Sequence, residues 1–183
     1  MTLSSGVKLA HRVDLRLRGT WSRKCKASEE KMAVNPDFED LFRALNEEKA
    51  KYLVVGAYAV TFHAEPRYTN DLDIWIEPTV ENAKKVWTAL AKFGAPLEDI
   101  TASDFTDESL VYQVGIEPNR IDVMMAIEGL KFAAAWKNRV ESKYGKVAIF
   151  ILGLEDLIRA KKASARPQDL VDIEILEKVL KKN

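Results

Sequence analysis

Cysteine is nearly absent from this sequence. A single residue, Cys25, excludes an internal disulfide and with it the small, stapled secreted domains. Two histidines and that cysteine cannot complete a four-ligand Cys/His zinc site, so any catalytic metal has to be held mainly by oxygen. No uninterrupted apolar run reaches membrane-spanning length, so no membrane partner is expected. There is no internal repeat and no low-complexity tract. Excess charge is missing too: 28 basic residues stand against 28 acidic ones. What is present is ordinary globular composition. The 47% hydrophobic residues, on a chain of 183, are enough for one domain with a sizeable core.

The zero net charge conceals an asymmetry. Residues 1–31 hold eight basic and three acidic side chains, a net +5, which leaves −5 on the remainder. An acidic body argues against non-specific binding along duplex nucleic acid. The first 31 residues lack a periodic apolar pattern and a continuous apolar stretch, so they are not a secretory signal. They read as a misassigned start with Met32 the initiator, as a disordered basic arm, or as a nucleic-acid contact. The first is favoured, because organised patterning begins only after Met32. The expected division is therefore a dispensable extension, 1–31, and a domain, 32–183.

From Asn35 the elements follow one another plainly. Asn35-Pro36-Asp37 is a helix start, and Phe38, Leu41, Phe42 and Leu45 recur at helical spacing, which predicts a helix over 37–49. An apolar run over 52–55 ends at Gly56 and predicts a buried strand; a short helix over 57–63 and a loop over 64–70 follow. Alternation over 72–76 predicts a second strand, and Gly94 ends a long helix over 81–93. Strands are expected over 110–116, 120–124 and 147–151, with a short helix or irregular piece over 132–139. Helices over 154–163 and 167–180 close the chain. This order predicts an α/β (α+β) fold, a small mixed sheet flanked by helices.

Chemistry gathers in two places. Residues two apart on a strand share a face, roughly 6–7 Å apart along the backbone. Asp71 and Asp73 therefore project two carboxylates together, while Leu72 and Ile74 face apolar packing. Magnesium takes hard oxygen ligands, usually one or two carboxylates plus substrate phosphates. The second place is Asp122, which interrupts the apolar strand Ile121-Asp122-Val123-Met124. A carboxylate there is costly unless it meets a cation or is fully hydrogen-bonded. If the two strands pair, three acids converge, and a pair of divalent ions could serve an in-line displacement. Gly56, between a strand and a short helix, lets a phosphate approach the backbone and the free N–H groups beyond it.

In this ordering the chain resembles the minimal nucleotidyltransferases. The stretch from Tyr52 through Gly56-Ala57 to Val60, then His63, and Pro66-Arg67-Tyr68-Thr69-Asn70-Asp71-Leu72-Asp73-Ile74-Trp75-Ile76 is most similar to the AbiEii-toxin-like branch of the DNA polymerase β superfamily. The segment from Leu154 to Lys161 and Arg166-Pro167-Gln168-Asp169-Leu170-Val171-Asp172 resembles the helical tail of that branch, so the likeness covers about residues 35–180. The resemblance implies a nucleotidyltransferase-like fold and transfer of a nucleoside monophosphate from an NTP to a hydroxyl on RNA or protein. It implies Mg2+ (or Mn2+) held by Asp71, Asp73 and Asp122. It implies a cytoplasmic setting and a toxin-antitoxin role with an antitoxin partner. The alternative is a non-catalytic member of the same fold, acting as a binding module or an antitoxin partner. One departure stands out. The superfamily often has Gly-Gly or Gly-Ser at the phosphate turn, whereas Gly56-Ala57 offers backbone donors and no hydroxyl.

The remaining candidates carry two readings each. Arg67 contacts triphosphate through a bidentate fork, or pairs with Glu65 or Asp71; the first is favoured. Thr69 belongs to the nucleotide site or to the turn into the strand. Lys161 reaches the triphosphate, as the resemblance implies, or is solvated beside Lys162. His63 is expected to be structural and Trp75 to belong to the core, while Tyr68 is a weak stacking candidate. Asp169 is expected to cap its helix and pair with Arg166 or Lys161. No protein nucleophile is expected, since there is no Ser–His or Cys–His pair.

Overall fold

The computed structural model describes residues 34–64, 69, 71–115 and 119–182. The basic stretch 1–31, and with it the expected boundary at residue 32, lies outside them, as do Glu65, Arg67 and Tyr68.

Helix α1 (Pro36–Glu47) starts where the Asn35 side chain accepts from the Asp37 N–H, with proline in the first turn. Its stripe of Phe38, Leu41, Phe42 and Leu45 is buried almost completely. Strand β1 (Tyr52–Val54) runs into α2 (Gly56–His63), then β2 (Leu72–Ile76) and α3 (Val80–Phe93). Thr79 caps α3 at Asn82, and Gly94, at φ 86°, ends it in the left-handed conformation that glycine adopts without strain. A short 3-10 helix (Ala102–Thr106) leads to the hairpin of β3 (Val111–Val114) and β4 (Ile121–Met124). Then come α4 (Phe132–Lys137), β5 (Val140–Tyr144), β6 (Val147–Ile151), α5 (Leu154–Ser164) and α6 (Pro167–Leu180).

The strands form one six-stranded sheet in the order β3-β4-β2-β1-β6-β5. It is mixed, as the sequence predicts: β2 runs parallel to β4 and β1 parallel to β6, and the other pairs are antiparallel. Strand pairing puts Tyr52, Val54, Ile74 and Ile76 on one face. Phe42 of α1 stacks on Tyr52 there, centroids 5.7 Å apart. The other face carries Leu53, Trp75 and Asp73, with Phe132 of α4 edge-on to Trp75. The Trp75 indole N–H donates to the Met125 carbonyl, so this residue belongs to the core as expected.

Two elements depart from the sequence reading. The 3-10 helix was not foreseen. The piece expected over 132–139 is a helix that ends at Lys137 and is followed by strand β5, which the reading missed. Strand β5 is an edge strand with Glu141 and Lys143 exposed, so it carries little apolar signal; charge of this kind is how edge strands avoid pairing with other chains.

The start of β1 is fastened by one buried side chain. Asn82 is 3% exposed. Its Oδ1 accepts from the Lys51 N–H (2.7 Å), and its Nδ2 donates to the carbonyls of Lys51 (2.9 Å) and Glu77 (3.0 Å). It thus ties the entry of β1, the exit of β2 and the first turn of α3. Asn82→Ala takes the acceptor from the Lys51 N–H and one donor each from the Lys51 and Glu77 carbonyls, which keep the N–H groups of Glu77 and Thr79, and should cost about 1–3 kcal/mol in urea denaturation. Asn82→Asp, which turns both donors into acceptors facing carbonyls, should cost more than Asn82→Ala at neutral pH.

Candidate functional site

The site is built where β1 ends and β2 begins, since these antiparallel strands bring those ends together. The Val55 N–H donates to the Asp73 carbonyl (3.0 Å), which sets the next residue, Gly56, against the Asp73 side chain. Gly56 has φ 59°. A Cβ at this position would overlap the Asp73 carboxylate and lie 2.7 Å from its Cγ. Both the backbone conformation and the space therefore require glycine. On the other side of β1, the Leu152 N–H donates to the Val54 carbonyl (3.0 Å), so β6 delivers α5 and α6 to the same end of the sheet. His63 at the end of α2 bonds the Leu152 carbonyl through Nε2 (2.7 Å). Burial lowers its pKa against the influence of that carbonyl, which leaves a neutral, structural imidazole.

Pairing of β2 with β4 places Asp73 directly beside Asp122. Asp71, two residues before Asp73, emerges on the same face. Burial pushes the Asp73 carboxyl up to about 6, and the charges of Asp122 and Asp71 add to this against the opposing pull of Arg120 and Lys161. The carboxylates share a face without meeting around one point. Among the described residues no group of three such side chains stands ready to enclose an ion. Arg120 intervenes. Its Nε donates to Asp122 Oδ1 (2.8 Å), and its Nη2 donates to Asp71 Oδ2 (3.0 Å) and Asp122 Oδ2 (3.2 Å). Gln113 of β3 also donates to Asp122 Oδ2 (3.1 Å).

Beside the carboxylates opens a cleft of about 260 Å³, lined by Gly56 and Asp73 on one side and by Lys161, Ser164 and Arg166 on another. Met124, the last residue of β4, and Ile127 and Glu128 beyond it also line the cleft. Lys161 is 8% exposed and is gripped by two acids of α6, Asp169 Oδ1 (2.8 Å) and Asp172 Oδ2 (2.7 Å). Burial works to raise the Asp169 pKa, but hydrogen bonds from Lys161 and Ser164 outweigh it and hold the carboxyl below its ordinary value.

Of the residues singled out in the sequence, Gly56, Asp73 and Lys161 line the cleft, and Asp71 and Asp122 stand beside it. Ala57 is buried in α2 away from the cleft lining. The Thr69 hydroxyl donates to the Asp71 carbonyl (3.3 Å), the turn role, and Thr69 does not line the cleft. Arg67 lies outside the described residues. Arg120 was missed, although its spacing from Asp122 puts both on one strand face. The pairing of Asp169 with Lys161 is found as expected, and Asp172, three residues on along the same helical face, joins it.

The donor chemistry fits a divalent cation. Three hard-oxygen carboxylates share a face, one of them electrostatically strained, and the absent Cβ of Gly56 keeps that carboxylate at the cleft edge.

Residues 32–182 match a family described as nucleotidyltransferase of unknown function (DUF6036), and the chain belongs to that family. No curated protein matches the chain. Among solved structures, the Thermotoga maritima protein TM1012, provisionally named a nucleotidyltransferase, superposes with a TM-score of 0.49 at 14% identity, covering 85% of this chain and 100% of its own. The lincosamide antibiotic adenylyltransferase LnuA, in its lincomycin-bound form, gives 0.47 at 14% identity, covering 79% of this chain and 97% of its own.

The strained Asp73 carboxyl has a consequence for stability. Its folded-state value of about 6 lies above the roughly 3.9 of an unfolded chain. The native state therefore holds the proton more tightly. This group's contribution to stability falls as pH rises from about 4 through about 6 and stays unfavourable above that. Asp73→Asn removes the charge. In metal-free buffer it should stabilise the fold by up to about 2–3 kcal/mol at pH 7.5, and by about 1 kcal/mol less at pH 5. Thermal melts at the two pH values check this; equal shifts at both would remove burial of charge as the cause.

Proposed function

We propose that this protein transfers a nucleoside monophosphate from an NTP to a hydroxyl on RNA or protein. The observation that carries this reading is the packing of Asp73 on Gly56 at the mouth of a cleft that Lys161 faces, with Asp71 and Asp122 on the same sheet face. Asp71, Asp73 and Asp122 would hold Mg2+ or Mn2+, which when bound supplies Lewis-acid charge to the triphosphate and lowers the pKa of the acceptor hydroxyl. Gly56 lets phosphate oxygens reach the backbone N–H groups at the start of α2. Lys161, once its ammonium turns from Asp169 and Asp172, would bring positive charge to the leaving pyrophosphate, and Arg166 would add to it at the cleft wall. Arg67 would contribute a further fork to the triphosphate. Asp122 takes the proton of the acceptor hydroxyl, and transfer is direct, without a protein nucleophile.

A non-catalytic module is the second reading. It is favoured by Ala57, which offers no hydroxyl at the phosphate turn, and by the guanidinium lodged between Asp71 and Asp122. The finer placement in the AbiEii-like branch, with a cytoplasmic toxin role and an antitoxin partner, rests on sequence resemblance. A small antitoxin reading frame beside the gene would support it.

Calorimetry with Mg-NTP, alongside transfer of labelled nucleotide to RNA and protein acceptors, tests the assignment. Asp122→Asn should keep most Mg-NTP binding and lose transfer by about 100-fold or more. Asp71→Asn and Asp73→Asn should weaken both. Wild-type-like transfer by Asp73→Asn would refute the metal assignment, and a wild type that binds no Mg-NTP would favour the non-catalytic reading instead.

A further inference from the structure

We infer that Arg120 is a resident counter-ion of the carboxylate cluster, one that competes with a divalent cation for Asp71 and Asp122. The inference rests on the metal reading above. Its basis is the commitment of oxygens. Arg120 uses Nε and Nη2 as a fork on both oxygens of Asp122 and spends Nη2 again on Asp71 Oδ2. Three of the four oxygens on these two residues thus accept from one guanidinium, and Gln113 shares one of the three.

Asp73, the remaining carboxylate, receives no hydrogen bond from Arg120 among those described; its side chain packs on Gly56 at the cleft. Arg120 therefore neutralises the two carboxylates that flank Asp73 and leaves Asp73 to carry the strain. Lys161 does little to share that task, because its ammonium is already divided between Asp169 and Asp172.

The contacts are of a kind worth holding. Charge-assisted bonds to a planar fork are stronger than neutral ones, and the side chains of Arg120, Asp71 and Asp122 are only 30%, 32% and 13% exposed. A carboxylate oxygen engaged by this fork has to turn from it before it can serve as a full ligand. Arg120 accordingly lets the cluster fold without an ion and sets a threshold for ion uptake. It is a positioning residue, since its effect on chemistry passes through Asp71 and Asp122.

Isothermal titration with Mn2+ alone, without nucleotide, tests this on the full chain as wild type, Arg120→Gln and Arg120→Lys. Arg120→Gln should bind Mn2+ about tenfold or more tighter than wild type while melting lower in EDTA. Arg120→Lys keeps the charge and loses the fork, so it should fall between the two. In the wild type, the NMR signal of the Arg120 Nε–Hε group should shift on saturation with Mg2+, a readout that needs no variant to fold. Mn2+ affinity unchanged or weaker in Arg120→Gln would overturn the inference. So would Arg120→Lys binding like wild type, or an Nε–Hε signal that does not move. Failure of all three proteins to take up Mn2+, with or without NTP, would overturn the metal reading itself and this inference with it.

Discussion

The closest approach at any glycine among the described residues is the packing of the Asp73 carboxylate on the bare Cα of Gly56. It joins two demands. The chain has to leave β1 through a positive φ to start α2, and β2 has to present an acid at the place where that turn occurs. The hydrogen bond from Val55 to the Asp73 carbonyl holds both in register. From this point the rest of the site is laid out by strand pairing: β4 sets Asp122 beside Asp73, and β6 sends α5 and α6 across the cleft.

Charge is distributed around that contact in two separate compartments. Arg120 serves Asp71 and Asp122 on the sheet, and Lys161 serves Asp169 and Asp172 on the helices. Each cation is matched locally, and Asp73 lies between them with only long-range attraction from either. A buried acid in that position resists ionisation. Perturbed acids cluster at functional sites, and in that respect the electrostatics agree with the proposed reading.

Much of this was legible in the sequence, for reasons that differ by element. The helices of the core announced themselves by apolar spacing, and Asp71, Asp73 and Gly56 stood out because each violates the pattern around it. Asp122 did so as well, as an acid within Ile121-Asp122-Val123. Strand β5 was not legible, because an edge strand needs little apolar burial and carries its meaning in charge. Arg120 escaped for a related reason. A basic residue next to the turn at Asn119 looks solvated until the pairing of β4 with β2 is known, and only that pairing brings Asp71 within its reach. The clamp on Lys161 required the crossing of α5 and α6, for which Ala165 turns the chain at φ 49°.

The strand order has a dynamic meaning. The strands that carry the chemistry, β4, β2 and β1, are interior, and each is hydrogen-bonded on both sides, whereas β3 and β5 form the margins. Local opening of a sheet begins at its margins, where fewer bonds need to break. Fraying of β5 or β3 can therefore proceed without separating Asp73 from Asp122 or Gly56 from Asp73. Among the described strands, those beneath the carboxylates are therefore the last to open.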